Sequence, residues 1–211
     1  MADKEILIFV EGPSDKVFLE VYLYFLEDLP IKNFKVKDVT GKDNLSKRLL
    51  EIEKYDKTLI IFDADKDYES NKKEILSKTQ QKITEEQIFL FPNNQDDGDL
   101  ETLLLEIAKH DEFLKCFEGY LECIKSKEHY KPIKNISKSK WYAYLEVFEL
   151  QNFFKDKRNK NDKKNEEKII IDDKCKIRKE YKEEYEKLKE VIDFNSNSLI
   201  PLKDFLGQFA K

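Results

Sequence analysis

Short apolar runs alternate with amphipathic segments along the first hundred residues of the chain. Four runs have the length and composition of strands, at residues 5–10, 34–39, 58–62 and 87–91. The segments between them have apolar residues at helical spacing, at residues 14–26, 45–52, 69–83 and 99–108. This alternation predicts an α/β fold, with a mostly parallel sheet of about four strands flanked by helices.

The pattern changes near residue 110, after which helical segments follow one another. We expect these helices at about residues 111–125, 138–154, 175–191 and 199–209, with one weak strand at 169–171. Residues 156–168 are charged and rich in Asn, which is typical of a mobile, solvated loop. We therefore predict an α/β core over residues 1–110 and a helical extension over residues 111–211 that packs on this core.

The composition fits one folded core of moderate size. The chain has 211 residues, of which 40% are hydrophobic and 39% are charged, and its net charge is −5. This length excludes a motor or a large multidomain enzyme. Charge is unevenly distributed, because residues 125–164 contain twelve Lys or Arg against five Asp or Glu. A local basic surface beside an acidic pocket is therefore expected.

Nothing in the sequence indicates export or membrane insertion. The first residues lack the basic and apolar regions of a signal peptide, and no run of eighteen apolar residues occurs. Cys116, Cys123 and Cys175 are odd in number and lack the paired spacing of a zinc site. We expect a cytoplasmic protein with reduced thiols and no membrane partner.

Acidic residues stand directly after two of the predicted strands. Glu11 follows the first strand, Asp15 comes four residues later across a Gly-Pro turn, and Asp63 follows the third strand. Ligands of open α/β sheets bind at the carboxyl ends of the strands, and clustered carboxylates need a cation, so these positions predict a magnesium site. The alternative for Asp15 is an ordinary acid in the first turn of a helix, where negative charge is favourable.

The segment that begins at Asp63 has a carboxylate at every second residue. If the segment is extended, Asp63, Asp65 and Asp67 lie on one side, and a pair of them can chelate one metal ion. The same three acids and two later glutamates also match ligand positions of an EF-hand calcium loop. Two features oppose that alternative, because Tyr68 stands where the loop needs glycine and a strand precedes the loop.

Further candidates follow the fourth strand and lie in the basic stretch. Asp99 and Glu101 come after Gly98 and are candidates for a second metal ion, although a helix cap and a first-turn acid also explain them. Lys140 is either a solvated surface lysine or, if it reaches the pocket, a group that neutralises a phosphate.

The two acidic motifs resemble those of the Toprim superfamily. The match lies in Glu11-Gly12-x-x-Asp15 at the first strand end, followed by Asp63-x-Asp65 at the end of a later strand. The superfamily includes topoisomerases, bacterial primases and the OLD (overcoming lysogenization defect) nucleases. The resemblance implies a Rossmann-like Toprim core over about residues 4–110.

Three other segments are similar to a family of small, stand-alone Toprim proteins close to the OLD-type branch. These segments are residues 98–101, 140–144 and 199–206. The chain departs from the larger relatives, since it has no Walker A motif, no zinc-ribbon cysteines and no room for strand-passage domains. These departures exclude an ATPase of its own, a full primase and a topoisomerase.

Residue roles follow from the resemblance. It implies that Glu11 is a general acid or base as well as a metal ligand, and that Asp63 and Asp65 bind Mg²⁺, for which Mn²⁺ can substitute. By analogy with the OLD branch, a two-metal arrangement would be completed by Asp15, Asp67, Asp99 and Glu101. Lys140 would stabilise the charge of the transition state.

We therefore hypothesise a magnesium-dependent phosphodiester hydrolase, a nuclease that acts on DNA or RNA. Lys155, Lys157 and Arg158 are expected to contact the phosphate backbone. The alternative is a Toprim module that is non-catalytic or depends on a partner ATPase, and that binds nucleic acid or nucleotide phosphates. Phosphatase chemistry at Asp63 is a further alternative. It is opposed by the residues after Asp63, which lack the hydroxyl-bearing pattern of such phosphatases.

Overall fold

The structure is a computed structural model that describes residues 6–26, 33–131, 133–154, 170–171 and 176–209. Its sheet consists of β1 (Ile6–Val10), β2 (Phe34–Asp38), β3 (Lys57–Asp63) and β4 (Ile88–Phe91). The strands lie in the order β2-β1-β3-β4, and every neighbouring pair is parallel. The predicted α/β class with a four-stranded parallel sheet is confirmed.

Helices flank the sheet, and the last of those described ends at Gly207. Those preceding residue 110 are α1 (Pro13–Phe25), α2 (Leu49–Ile52), α3 (Tyr68–Lys78) and α4 (Leu100–Glu106). Those after it are α5 (Asp111–Lys125), α6 (Ile136–Val147), α7 (Gln151–Phe154), α8 (Lys182–Val191) and α9 (Ile200–Gly207). The C-terminal part is therefore helical, as predicted.

Each face of the sheet has its own hydrophobic core, because successive side chains of a strand point to opposite faces. Ile8 and Val10 of β1 pack with α1, α4 and the C-terminal helices on one face. Leu7 and Phe9 of the same strand pack on the other face with residues near α2 and α3. All five residues of β1 are buried, which explains why the strand is a continuous apolar run rather than an alternating one.

The C-terminal helices share the first of these cores with the sheet. Trp141 and Tyr144 of α6 are buried there and their rings stack. The Tyr144 hydroxyl donates a hydrogen bond to the Val191 carbonyl at 2.7 Å, which joins α6 to the end of α8. Helices on both sides of residue 110 thus contribute to one core, and the boundary between two domains at that position stays a prediction.

Several helix boundaries differ from the sequence-based expectation. The second helix begins as a 3-10 helix at Lys42–Arg48 before α2, and α3 ends at Lys78. The predicted helix at 138–154 is divided, because Glu149 adopts a left-handed conformation (φ 60°) between α6 and α7. Of the predicted strand at 169–171, the described residues 170 and 171 include a bridge between Ile171 and Ile177. Residues 156–168 lie outside the described ranges.

In the part of the chain that the structure describes, no helix has both the length and the apolar character needed to cross a membrane.

Gly98 occupies a position that no larger residue fits, and this generates a stability prediction. Its φ is +148°, and an added Cβ would lie 3.0 Å from Pro92 Cδ and 3.3 Å from Thr102 Oγ1. We expect Gly98→Ala to lower the free energy of unfolding by about 1–3 kcal/mol, because backbone strain and crowding act together. Urea unfolding followed by circular dichroism measures the change.

Gly119→Ala is the matched control for this substitution. Gly119 lies within α5, and nothing lies within 4 Å of an added Cβ. Alanine there should raise the free energy of unfolding by about 0.5–1 kcal/mol through helix propensity. Equal effects of the two substitutions would contradict the assignment of strain to Gly98.

Candidate functional site

Carboxylates from the two central strands meet at the carboxyl edge of the sheet. Glu11 directly follows β1, Asp63 is the last residue of β3, and these two strands are hydrogen-bonded neighbours. Asp15 in the first turn of α1 and Glu101 in the first turn of α4 add two more charges. The Asp63 carboxylate interacts electrostatically with the carboxylates of all three other residues. We call Glu11, Asp15, Asp63 and Glu101 the acidic cluster.

Backbone N–H groups hold two members of the cluster in place. Asp15 Oδ2 accepts a hydrogen bond from the Gly12 N–H at 2.7 Å, across the tight turn between β1 and α1. Asp63 Oδ1 accepts one from the Leu100 N–H at 2.9 Å, at the beginning of α4. Exposed N–H groups at helix starts are ready donors to carboxylates, so local backbone geometry positions both side chains.

Burial raises the pKa of every carboxyl group in the cluster. The pKa of Asp15 rises to about 7, because the side chain is withdrawn from water and because the charges of Glu101 and Glu11 repel it. Burial is also the largest cause for Asp63, followed by repulsion from Asp15 and Glu11. The pKa values of Glu11 and Glu101 are raised chiefly by burial as well. The cluster therefore favours either protons or a bound cation.

Two lysines border the cluster on different sides. Lys138 of α6 places its Nζ 3.5 Å from Glu101 Oε1. Lys42, which follows β2, places its Nζ 3.9 Å from Glu11 Oε2 and forms a hydrogen-bonded salt bridge with Asp65. The charge of Lys42 partly opposes the upward shift of the Glu11 pKa. Lysines of the chain itself thus offset part of the repulsion.

A magnesium ion is the cofactor that the sequence predicts here, and the donor set can be compared with that prediction. Among the described residues, no group of three or more His, Cys, Asp or Glu side chains is arranged to hold a metal ion. Glu11 Oε2 is nevertheless buried and has no hydrogen-bond partner. Magnesium commonly takes only one or two protein carboxylates and completes its octahedron with water or phosphate oxygens. The oxygen donors present fit that kind of site.

Asp63, Asp65 and Asp67 do not lie along one side of an extended segment. Asp65 has φ 55°, so the segment after β3 is not extended, and the expected alternation of side chains fails there. The Asp65 side chain is 56% exposed and points to Lys42. Asp67 caps α3, where its carboxylate accepts a hydrogen bond from the Ser70 N–H at 2.9 Å. Asp67 therefore does not stand in an extended row with Asp63, and its role as a metal ligand stays a prediction.

Asp99 serves as a helix cap in the structure. Its Oδ1 accepts hydrogen bonds from the Thr102 N–H at 2.8 Å and from the Thr102 hydroxyl at 2.6 Å, at the start of α4. The alternative of an EF-hand calcium loop also finds no support, because β3 and not a helix enters the segment at Asp63.

The structure does not bring Lys140 to the acidic cluster. Its ammonium pairs with Glu118 of α5, whereas Lys138 contacts Glu101. Residues two apart on a helix point to different sides, so only one of these two lysines can face the cluster. Lys155, Lys157 and Arg158, the other predicted basic contacts, lie outside the described residues.

Sequence reasoning missed both lysines that border the cluster. Lys42 follows the second strand, and its position after a strand end was a usable signal, because all parallel strands end at the same edge. For Lys138 no comparable signal exists, since Lys138 and Lys140 both lie within one helical turn of buried aromatic residues. The packing of α6 decides which lysine is turned toward α4.

Fold and site together define an α/β protein with a partly buried acidic cluster at the carboxyl edge of a parallel sheet. Residues 5–210 match the model of the family described as "Protein of unknown function (DUF3226)", and the chain belongs to this family. No curated protein and no solved structure matches the chain significantly.

The raised pKa of Asp15 makes stability depend on pH in a defined direction. Between the ordinary value of 3.8 and about 7, the folded protein holds a proton on Asp15 that the unfolded chain has released. The free energy of unfolding of the metal-free protein should therefore fall as pH rises through this range. Asp15→Asn keeps an acceptor for the Gly12 N–H and cannot ionise. We expect it to be about 1–4 kcal/mol more stable than wild type at pH 8 and nearly equal at pH 4.

Urea unfolding with a chelator present measures this difference at the two pH values. Asp111→Asn is the control, because Asp111 is an exposed partner of Lys115 and its pKa is lowered rather than raised. That control should leave the free energy of unfolding close to that of wild type at either pH. A loss of stability in Asp15→Asn at pH 8 would contradict the electrostatic account of the cluster.

Proposed function

We propose that this protein is a magnesium-dependent phosphodiester hydrolase that acts on DNA or RNA. The observation that carries the proposal is the acidic cluster, in which four carboxyl groups from two strand ends and two helix starts have raised pKa values. Groups buried together against their mutual repulsion are typical of functional sites and rare where only stability matters. A divalent cation would offset this repulsion directly.

Magnesium would be held by carboxylate oxygens of the cluster, with Mn²⁺ as a substitute. Glu11 supplies a buried oxygen without a hydrogen-bond partner, and Asp63 lies beside it at the end of β3. Asp15, Asp65 and Glu101 provide further oxygens nearby. A bound magnesium ion supplies Lewis-acid activation of water and stabilisation of a leaving oxygen.

The side chains around the cluster have their own roles in this reaction. Glu11, whose pKa burial raises, accepts the proton of the attacking water. Lys138 lies at the border of the cluster, where its ammonium can neutralise charge on the scissile phosphate. The backbone N–H groups of Gly12 and Leu100 keep Asp15 and Asp63 oriented.

Nucleic acid is the proposed substrate class because the chain before Lys138 is rich in exposed lysines. Lys125, Lys127, Lys131 and Lys134 are all exposed and precede Lys138 in the chain. Such a surface favours binding to a phosphate backbone. The resemblance of the acidic motifs to the Toprim superfamily supports the same proposal.

A cytoplasmic location is also part of the proposed function, and it agrees with the free thiols of Cys116 and Cys123.

Neutralising the central acids tests the proposal most directly. Glu11→Gln and Asp63→Asn each remove a charge and keep the size of the side chain. We expect each to weaken Mn²⁺ binding at least tenfold in calorimetric titration and to abolish cleavage of single- and double-stranded DNA and RNA. The melting temperature should be unchanged or higher, since repulsion in the metal-free cluster is relieved.

Asp96→Asn is the matched control for these variants. Asp96 is exposed and its carboxylate contacts only the nearby Asn93 amide among the contacts described. Its metal affinity and cleavage rate should equal those of wild type. A wild type that binds no divalent cation would overturn the proposal. Metal binding without cleavage of any nucleic acid would instead favour the non-catalytic or partner-dependent module.

The two lysines of α6 should differ in their effect on catalysis. Lys138→Met should reduce the turnover number at least tenfold with little change in melting temperature, because it removes a positive charge beside Glu101. Lys140→Met, which removes a pair with Glu118 rather than a contact with the cluster, should keep turnover within about twofold of wild type. Steady-state kinetics on a cleaved substrate separate the two outcomes. A larger loss of turnover in Lys140→Met than in Lys138→Met would instead favour Lys140 as the lysine that acts in catalysis.

A further inference from the structure

Three side-chain oxygens from three different segments surround one ammonium group. Lys42 Nζ bonds to Asp65 Oδ2, donates to Asn71 Oδ1 at 2.6 Å and lies 3.9 Å from Glu11 Oε2. The lysine side chain is only 12% exposed. A positively charged group therefore already occupies the space between Glu11 and Asp65.

The backbone directs Lys42 into this position. Gly41 has φ 96° and ψ 148°, a conformation that is essentially restricted to glycine. The Gly41 N–H donates to the Glu11 carbonyl at 2.9 Å, which holds the turn after β2 against the end of β1. The turn thus delivers the next residue, Lys42, directly to the edge of the acidic cluster.

Asn71 is oriented independently of the lysine. Its Nδ2 donates to the Ala64 carbonyl and, at 3.0 Å, to the Asp67 carbonyl. These two bonds fix the amide so that Oδ1 points toward Lys42 Nζ. An amide oxygen held in this way is available to any cation that takes the place of the ammonium.

The surroundings suit a small divalent ion better than an ammonium. Two carboxylates and an amide oxygen are the donor types that hard divalent cations prefer. Glu11 Oε2 is too far from Lys42 Nζ for a hydrogen bond and remains buried without a hydrogen-bond partner. A buried carboxylate oxygen without a hydrogen bond has lost its hydration and gained nothing in return. A closer and more highly charged cation would offset this desolvation penalty.

We propose that the Lys42 ammonium is a tethered competitor, which holds the cation position between Glu11 and Asp65 in the metal-free protein and is displaced when a divalent ion binds. The inference rests on the proposed function, because it concerns the metal that function requires. Displacement lowers the apparent metal affinity, since part of the binding free energy is used to separate the lysine from its partners. The chain thereby avoids uncompensated repulsion while no metal is bound.

Removal of the competitor should tighten metal binding. Lys42→Met keeps a long side chain and removes the charge. In calorimetric titration with Mn²⁺, this variant should bind with a dissociation constant at least threefold lower than wild type. Lys47→Met is the control, because Lys47 lies in the same 3-10 helix and contacts Asn44 rather than the cluster. Its affinity should equal that of wild type.

Labelling of lysines in the wild-type protein provides a second measurement that does not depend on folding of a variant. An amine-reactive reagent is applied with and without saturating Mn²⁺, and modification at each lysine is followed by mass spectrometry. The rate at Lys42 should rise at least threefold with the metal, because the released amine becomes exposed. The rate at Lys47 should stay the same.

The outcomes separate this inference from the proposed function. If wild type binds no Mn²⁺, both are overturned. If wild type binds Mn²⁺ but Lys42→Met binds no more tightly, or Lys42 labelling does not increase, only the competitor role is overturned. If Lys42→Met does not fold, the labelling experiment alone decides, and an unchanged rate at Lys42 rejects the inference.

Discussion

The parallel pairing of β1 with β3 at the centre of the sheet fixes where the acidic residues at the strand ends lie. Both strands are almost entirely buried and are covered by helices on both faces, so neither can shift without exposing apolar side chains. Their carboxyl ends consequently lie side by side, and the acids Glu11 and Asp63 at those ends are forced together. Hydrophobic burial, which is non-directional and large, thus determines an electrostatic arrangement that is unfavourable by itself.

The acidic cluster is tolerated because several weaker interactions offset its repulsion. Backbone N–H groups donate to Asp15 and Asp63, while Lys42 and Lys138 bring positive charge to opposite members of the cluster. These contacts do not remove the effects of burial and electrostatic repulsion completely, as the raised pKa of Asp15 indicates. A site of this kind is destabilising when empty and gains most from a ligand that carries positive charge.

The helices after residue 110 are part of the site as well as part of the core. The burial of Trp141 and Tyr144 fixes α6 against the rest of the protein, and α6 in turn carries Lys138 to Glu101. Asp65, by contrast, belongs to the other border, where Lys42 approaches from the turn after β2 and Asn71 from α3. The cluster therefore has two distinct borders, one formed by the α/β core alone and one completed by the C-terminal helices.

The α/β class, the four strands and the placement of Glu11 and Asp63 at one edge could all be predicted from the amino-acid pattern, because burial patterns and strand ends are local properties of the chain. The conformation of Asp65, the capping role of Asp67 and the choice of Lys138 over Lys140 were decided only by the tertiary structure. A turn after a strand can redirect a side chain, and the rotation of a helix depends on how its whole apolar face packs. Neither is encoded in the spacing of a few charged residues, since the energy that decides them comes from contacts distant in sequence.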